Sequence, residues 1–239
     1  MMTLEERFEA SKVPISTNLR AQVYSGASIP LVGIKRSEKV IANPIWVNPH
    51  DTEGKYYVEY MDDHPSYKDI YVRKPISKML QKAAESLPDD WILVIKSGHR
   101  PLAVQSMLFD HIKADLKTKF KVSSEDELND LTRKYVADPK VKMPAHCCGA
   151  AVDVDVFNMT SNSLVDFGSP INFESDISQL HTSLINPTQH KNRMILLIAM
   201  LHAGFASDYH EWWHYSYGDS QWAIFYKQNE PLFDLIEYT

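Results

Sequence analysis

The residues most able to do chemistry are crowded between Pro144 and Phe157, in the run Pro-Ala-His-Cys-Cys-Gly-Ala-Ala-Val-Asp-Val-Asp-Val-Phe. Carboxylate and imidazole clusters are what zinc sites are made of, so His146 with one of the aspartates Asp153 and Asp155 reads as part of a cation site. Gly149 would let the chain turn between them. The segment Ala151 to Val156 alternates apolar and acidic residues with period two, the pattern of a strand with one wet and one dry face. Asp is depleted in strands, so two on one face call for a reason. Without a metal, the same pattern describes a solvated edge strand.

A second cluster is His210-Glu211-Trp212-Trp213-His214. It matches H-E-x-x-H, which on a helix presents two histidines to zinc and a glutamate as base. The surrounding aromatic residues favour a strand. No histidine follows His214, and Glu230 and Glu237 stand in no motif that would make either a third ligand. Arg100, in Ser-Gly-His-Arg-Pro, falls at a strand-to-helix corner.

These groups need elements to position them. Pro75 to Pro88 reads as a helix, with Ile76, Met79, Leu80 and Ala83 or Ala84 on one face and Pro88 as its stop. Trp91 to Lys96 is a continuous apolar run, the mark of a central strand covered on both sides. Pro101 suits the first turn of the next helix. Ser124 with Glu127 forms a capping box for a further helix ending before Pro139. Asn158 to Asp176 reads as loop. Thr188 or Gln189 to His202 is a helix with Met194, Leu197, Ile198 and Leu201 at core spacing and Gly204 at its end. The first 76 residues offer only short β-prone pieces, Ile41 to Val47 and Tyr56 to Tyr60, broken by prolines. With no repeats or linker, residues 1–239 read as a single α+β domain with its core in 77–239.

The chain has 239 residues, 44% of them hydrophobic, and a net charge of -6, so it has ample material for a core and no general attraction for nucleic acid. The apolar run Met194 to Leu201 is too short to span a membrane, and the amino terminus lacks the apolar core of a signal peptide. Cys147 and Cys148 are neighbours and cannot staple distant segments. The expectation is a cytoplasmic protein.

In chain order, Ser-Gly-His-Arg100-Pro, His146 with six residues before Asp153, and Glu211-Trp-Trp-His214-Tyr resemble the zinc D-alanyl-D-alanine dipeptidases of vancomycin resistance (VanX-like), grouped with VanY-type carboxypeptidases. Leu164 to Ser169, Asn192-Arg193 and Ala203-Gly-Phe205 add to the match, which covers about Trp91 to Trp222. The resemblance implies a mainly antiparallel central sheet flanked by helices, with one zinc ion on the sheet held by His146, Asp153 and His214. It implies Glu211 as general base, Arg100 as oxyanion donor and a small dipeptide as substrate. It also chooses Asp153 over Asp155, which spacing does not. Glu211 must then lie at an irregular strand start, where a loop or bulge re-aims it. Trp213 would be pocket wall. Two departures bear on specificity: Ala145 stands where the family places a serine near the substrate carboxylate, and Asn172 where it places an aspartate near the substrate's amino terminus. Glu174 or Asp176 is a possible replacement. The alternatives are a peptidoglycan D,D-carboxypeptidase or endolysin of the same superfamily, or a binding protein that keeps the zinc scaffold without catalysis. Other histidines, among them His99, read as solvated or partly buried, while His50 and His64 lie in the poorly legible first part of the chain.

Overall fold

A computed structural model describes residues 2–15, 29–44, 60–64, 69–141, 143–172 and 175–236. His50, Glu174, Glu237, residues 45–47 and residues 56–59 lie outside the described residues.

The organising element is a six-stranded mixed sheet. β2 (Val40–Ala42), β4 (Trp91–Ser97), β5 (Ala151–Asn158), β8 (His214–Ser216) and β7 (Ala206–Ser207) lie side by side in that order, and β6 (Ser163–Leu164) pairs with the far end of β5. Only β2 and β4 run parallel; the other pairings are antiparallel. A separate antiparallel pair joins β1 (Leu31–Gly33) to β3 (Tyr71–Arg73). The sheet is therefore mainly antiparallel, as expected.

β4 takes the apolar run Trp91 to Ile95 and is covered on both sides. Between Ile95 and Ser97 its register against β5 shifts by one residue, a bulge that turns Gly98, His99 and Arg100 out of the ladder. β5 is a central strand, not an edge, and its acidic face is largely closed: Asp153 is 3% exposed and Asp155 half-buried, while Val152, Val154 and Val156 on the other face are fully buried. The acid alternation misled because Asp153 is buried with partners rather than hydrated. The expected loop after Phe157 contains β6, whose Leu164 lies opposite Phe157. Tyr60, read as part of a β-prone piece, is helical.

Helix α2 (Lys74–Glu85) buries Ile76, Leu80, Ala83 and Ala84, the face its spacing predicts. Helix α3 (Leu102–Phe120) starts one residue after Pro101, and α4 (Glu125–Thr132) opens on Ser124, whose hydroxyl accepts the N–H of Glu127. Helix α5 (Pro187–Ala203) is capped by Asn186 and Gln189 and ends at Gly204. Its buried face runs through Arg193, Leu196, Leu197, Met200 and Leu201, whereas Ile198 is 44% exposed. Apolar residues surround this helix, so their spacing could not choose its face. The short α1 (Leu4–Ala10) packs on α5, as α2 does, and α6 (Ser220–Phe225) follows β8.

Three irregular segments meet at Arg73, 3% exposed, which donates Nε to Cys148 O (2.7 Å), Nη1 to Ile29 O (2.6 Å) and Nη2 to Asp234 O (2.5 Å). Next to this knot, His99 is fully buried rather than solvated, and its Nε2–H donates to Ile236 O at 2.7 Å. Burial pulls His99 down to about 4.

A histidine held neutral in the fold but free to protonate when unfolded contributes stability that is complete above about pH 6.5 and lost as pH falls toward 4. Unfolding free energy is expected to rise across that window, with His99 accounting for something on the order of 3 kcal/mol. His99→Gln keeps a donor for Ile236 and should flatten that slope in denaturant titrations at pH 4.5 and 7; an unchanged slope would assign the pH dependence to other groups.

Candidate metal centre

The site grows from the register of three neighbouring strands. Asp153 on β5 lies directly opposite His214 on β8 and, past the bulge, opposite Ser97 on β4. His146 reaches the same point from a short 3-10 turn, His146–Cys148, that closes at Gly149 with φ 64°. Only glycine takes that conformation cheaply, and a Cβ there would stand 2.5 Å from a Leu31 methyl.

His146, Asp153 and His214 each offer a ligand atom, all within 4.8 Å of one another. His146 Nε2 stands 3.3 Å from Asp153 Oδ2, and His214 Nδ1 stands 3.0 Å from Asp153 Oδ1. Donors ~2.0–2.2 Å from a tetrahedral zinc stand about 3.3–3.6 Å apart, so this set fits zinc. His146 Nδ1–H donates to Gly98 O at 2.7 Å, which fixes the tautomer that aims Nε2 into the site. A Cβ on Gly98 would meet Tyr71 O at 2.5 Å, so only glycine brings that carbonyl close enough.

Electrostatics act differently on the three donors. Burial opposes ionisation of Asp153, yet the two histidines hold its carboxyl well below the usual range. Burial likewise opposes charge on His214, but the Asp153 hydrogen bond and charge outweigh it and push His214 up to about 9. Burial wins at His146 and pulls it down. Asp155 is different: burial raises its carboxyl to about 6, and it accepts the N–H of its neighbour Val156 at 2.8 Å.

The second cluster is not helical. Trp212 and Trp213 form a buried turn before β8, and Glu211 precedes that turn, with Oε2 3.7 Å from His214 Nδ1. Trp213 lies in the turn ahead of β8 rather than in a strand, and it is among the residues lining the cleft. Asp208 shapes this corner by accepting the N–H groups of His210 (2.6 Å) and Glu211 (3.2 Å) at Oδ1. Arg100, 8% exposed, donates Nη1 to Gln105 Oε1 at 2.8 Å, and Gln105 in turn donates to Ala137 O at 2.8 Å. Arg100 N–H donates to His146 O at 3.1 Å, tying it to the ligand loop. A cleft of about 1130 Å³ is lined by all three donors and by Arg100, Glu211, Ala145, Asn172, Trp213 and His210. Asp176, a possible substitute for the missing carboxylate, is exposed and accepts from Gln179 at 3.0 Å. The supports Gly98, Gln105 and Asp208 were missed from sequence. Asp208, three residues before Glu211, carried the only local signal, as a side chain able to cap the turn.

Buried His/Asp/His donors facing a cleft with an adjacent glutamate and arginine define a metallopeptidase type of site. A family model described as D-ala-D-ala dipeptidase matches residues 68–235, and the chain belongs to that family. It is 27% identical over 212 residues to a D-alanyl-D-alanine dipeptidase of Synechocystis, covering 76% of this chain and 83% of the relative. Against a D-alanyl-D-alanine dipeptidase of Enterococcus faecalis it is 30% identical over 137 residues, covering 56% of this chain and 66% of the relative. Among solved structures, it is similar to a vancomycin-resistance D,D-pentapeptidase VanY in complex with Zn(II), at 20% identity and TM-score 0.40 over 70% of this chain and 84% of that one. VanYB in complex with D-Ala-D-Ala matches at 19% identity and TM-score 0.41 over 69% of this chain and 81% of that one.

Metal analysis is expected to find one zinc per chain. His146→Ala should weaken binding by more than the ~10–100-fold typical of losing an outer hydrogen-bond partner, while His210→Ala leaves it unchanged. Loss of zinc in the His210 variant would move the ligand set to the H-E-x-x-H pair.

Proposed function

We propose that this chain hydrolyses the peptide bond of D-Ala-D-Ala or a similarly short dipeptide, with one zinc ion held by His146, Asp153 and His214. The observation that carries this reading is the convergence of those three buried donors, Glu211 and Arg100 on one cleft in a member of this family. When bound, zinc supplies a polarised substrate carbonyl and a water whose pKa falls from ~15.7 towards ~7.

The side chains do the rest. Glu211 is one-third exposed at the cleft and stands beside His214 without being one of the three donors, so it can take a proton from water and deliver it to the leaving amine. Gln105 holds one arm of the planar Arg100 fork. The guanidinium lines the same cleft and can meet negative charge developing on the carbonyl oxygen. Trp213 walls the cleft, and Ala145 and Asn172 line it without the hydroxyl and the charge that the family pattern places there.

The cleft volume favours a second reading, removal of a terminal residue from a longer peptide. Sites for drug-sized ligands run ~300–1,000 Å³, and a dialanine is far smaller than that. A purely structural zinc would need neither Glu211 nor Arg100, which speaks against the non-catalytic alternative. No helix among the described residues is long and apolar enough to cross a membrane, and the buried Cys147 and Cys148 are not joined in a disulfide.

Release of D-alanine from D-Ala-D-Ala by the zinc-loaded protein tests the main reading, with longer D-Ala-D-Ala-terminated peptides as competitors. Glu211→Ala should keep its zinc and lose ~10²–10⁴-fold in kcat. Turnover within about tenfold of the starting protein would remove Glu211 from the role of base. Ala145→Ser combined with Asn172→Asp should lower KM for D-Ala-D-Ala and leave kcat near its starting value. An unchanged KM would mean that other residues hold the substrate's termini.

A further inference from the structure

The chain around Asn172 and the turn that carries Glu211 are tied together by side chains that the hydrolytic chemistry does not use. Arg193, 1% exposed on α5, donates Nε to Phe167 O (2.7 Å), Nη2 to Ile177 O (2.8 Å) and Nη1 to Gln179 O (2.7 Å). These bonds close the base of the segment formed by residues 167–172 and 175–180. Trp212 supplies the second tie. Its Nε1–H donates to Ser169 Oγ at 3.0 Å, its ring stacks on Phe167 at 4.2 Å, and its backbone N–H donates to Ser178 O at 3.1 Å. Ser169 Oγ also lies 3.3 Å from Ser178 Oγ, so one hydroxyl joins both limbs of the segment to the residue next to Glu211.

The turn has its own support, which sets the direction of the effect. Asp208 accepts the N–H groups of His210 and Glu211, and its own N–H donates to His214 O at 3.0 Å. Glu211 therefore keeps its place if the Ser169 tie is cut, whereas the cleft edge at Pro170, Ile171 and Asn172 loses a fastening.

We propose that Ser169 and Trp212 are positioning residues that set the cleft edge at Asn172 relative to Glu211 and so govern how tightly substrate is held. The substrate side of this proposal rests on the dipeptidase reading above.

The test compares Ser169→Ala, Trp212→Phe and Ser169→Thr, the last of which keeps the hydroxyl, in the zinc-loaded protein. Circular dichroism and zinc content check the fold first. Loss of one neutral hydrogen bond should raise KM for D-Ala-D-Ala about two- to tenfold in the Ala and Phe variants with kcat near wild type, and the Thr variant should restore KM. Hydrogen exchange should quicken in residues 167–180 and stay unchanged in residues 206–216. Unchanged exchange in 167–180, or a fall in kcat with KM constant, overturns the proposal. If the parent protein does not cleave D-Ala-D-Ala, the functional reading fails by itself, and the exchange measurement still decides whether the tie exists.

Discussion

The carboxylate of Asp153 is the constraint on which the rest of the structure depends. A buried, ionised carboxylate is costly unless it is paired and hydrogen-bonded, and Asp153 is paired with His146 on one oxygen and His214 on the other. Both partners arrive by backbone geometry. Sheet register sets Asp153 opposite His214, and a slip of one residue would carry Asp153 into the face that Val152, Val154 and Val156 bury. The bulge in β4 then presents the Gly98 carbonyl that orients His146. Packing the core and assembling the site are thus one event on β5.

Much of the chain around this strand is irregular, and irregular backbone leaves carbonyls without ladder partners. Two buried arginines absorb them. Arg73 takes the carbonyls of Ile29, Cys148 and Asp234, and Arg193 takes those of Phe167, Ile177 and Gln179. Charge-assisted bonds of this kind contribute about 1.5–3 kcal/mol each, enough to hold backbone that no ladder pairs. Burial lowers the pKa of Arg193 to about 10, which still leaves it charged at neutral pH.

The legible parts of the sequence were those whose pattern is local. α2, β4 and α4 announced themselves by apolar spacing, a continuous apolar run and a capping serine. α5 was legible as a helix but not in its orientation, because Ile198 looks as apolar as Leu197 until Arg193 fixes which face turns inward. β1, β3, β6 and β7 are two or three residues long, too short for any period, and exist only through pairing with distant partners. Within the site, His146, Asp153, Glu211 and His214 were read together through the family resemblance that their motifs carry, since spacing left Asp153 and Asp155 equal. What escaped was whatever acts through a backbone carbonyl or across the fold: Gly98, the Gln105 hold on Arg100, and the full burial of His99.

The grip of Arg73 on Asp234 and of His99 on Ile236 also bears on how the protein is made. Arg73 holds the Cys148 carbonyl with the same guanidinium, so the back of the ligand loop is finished by chain that is synthesised more than eighty residues later. On the ribosome, His146 and Asp153 emerge well before His214, and the strap across their loop later still. The nascent polypeptide therefore carries two of its three donors through much of translation before His214, and then the stretch around Asp234 and Ile236, can close on them.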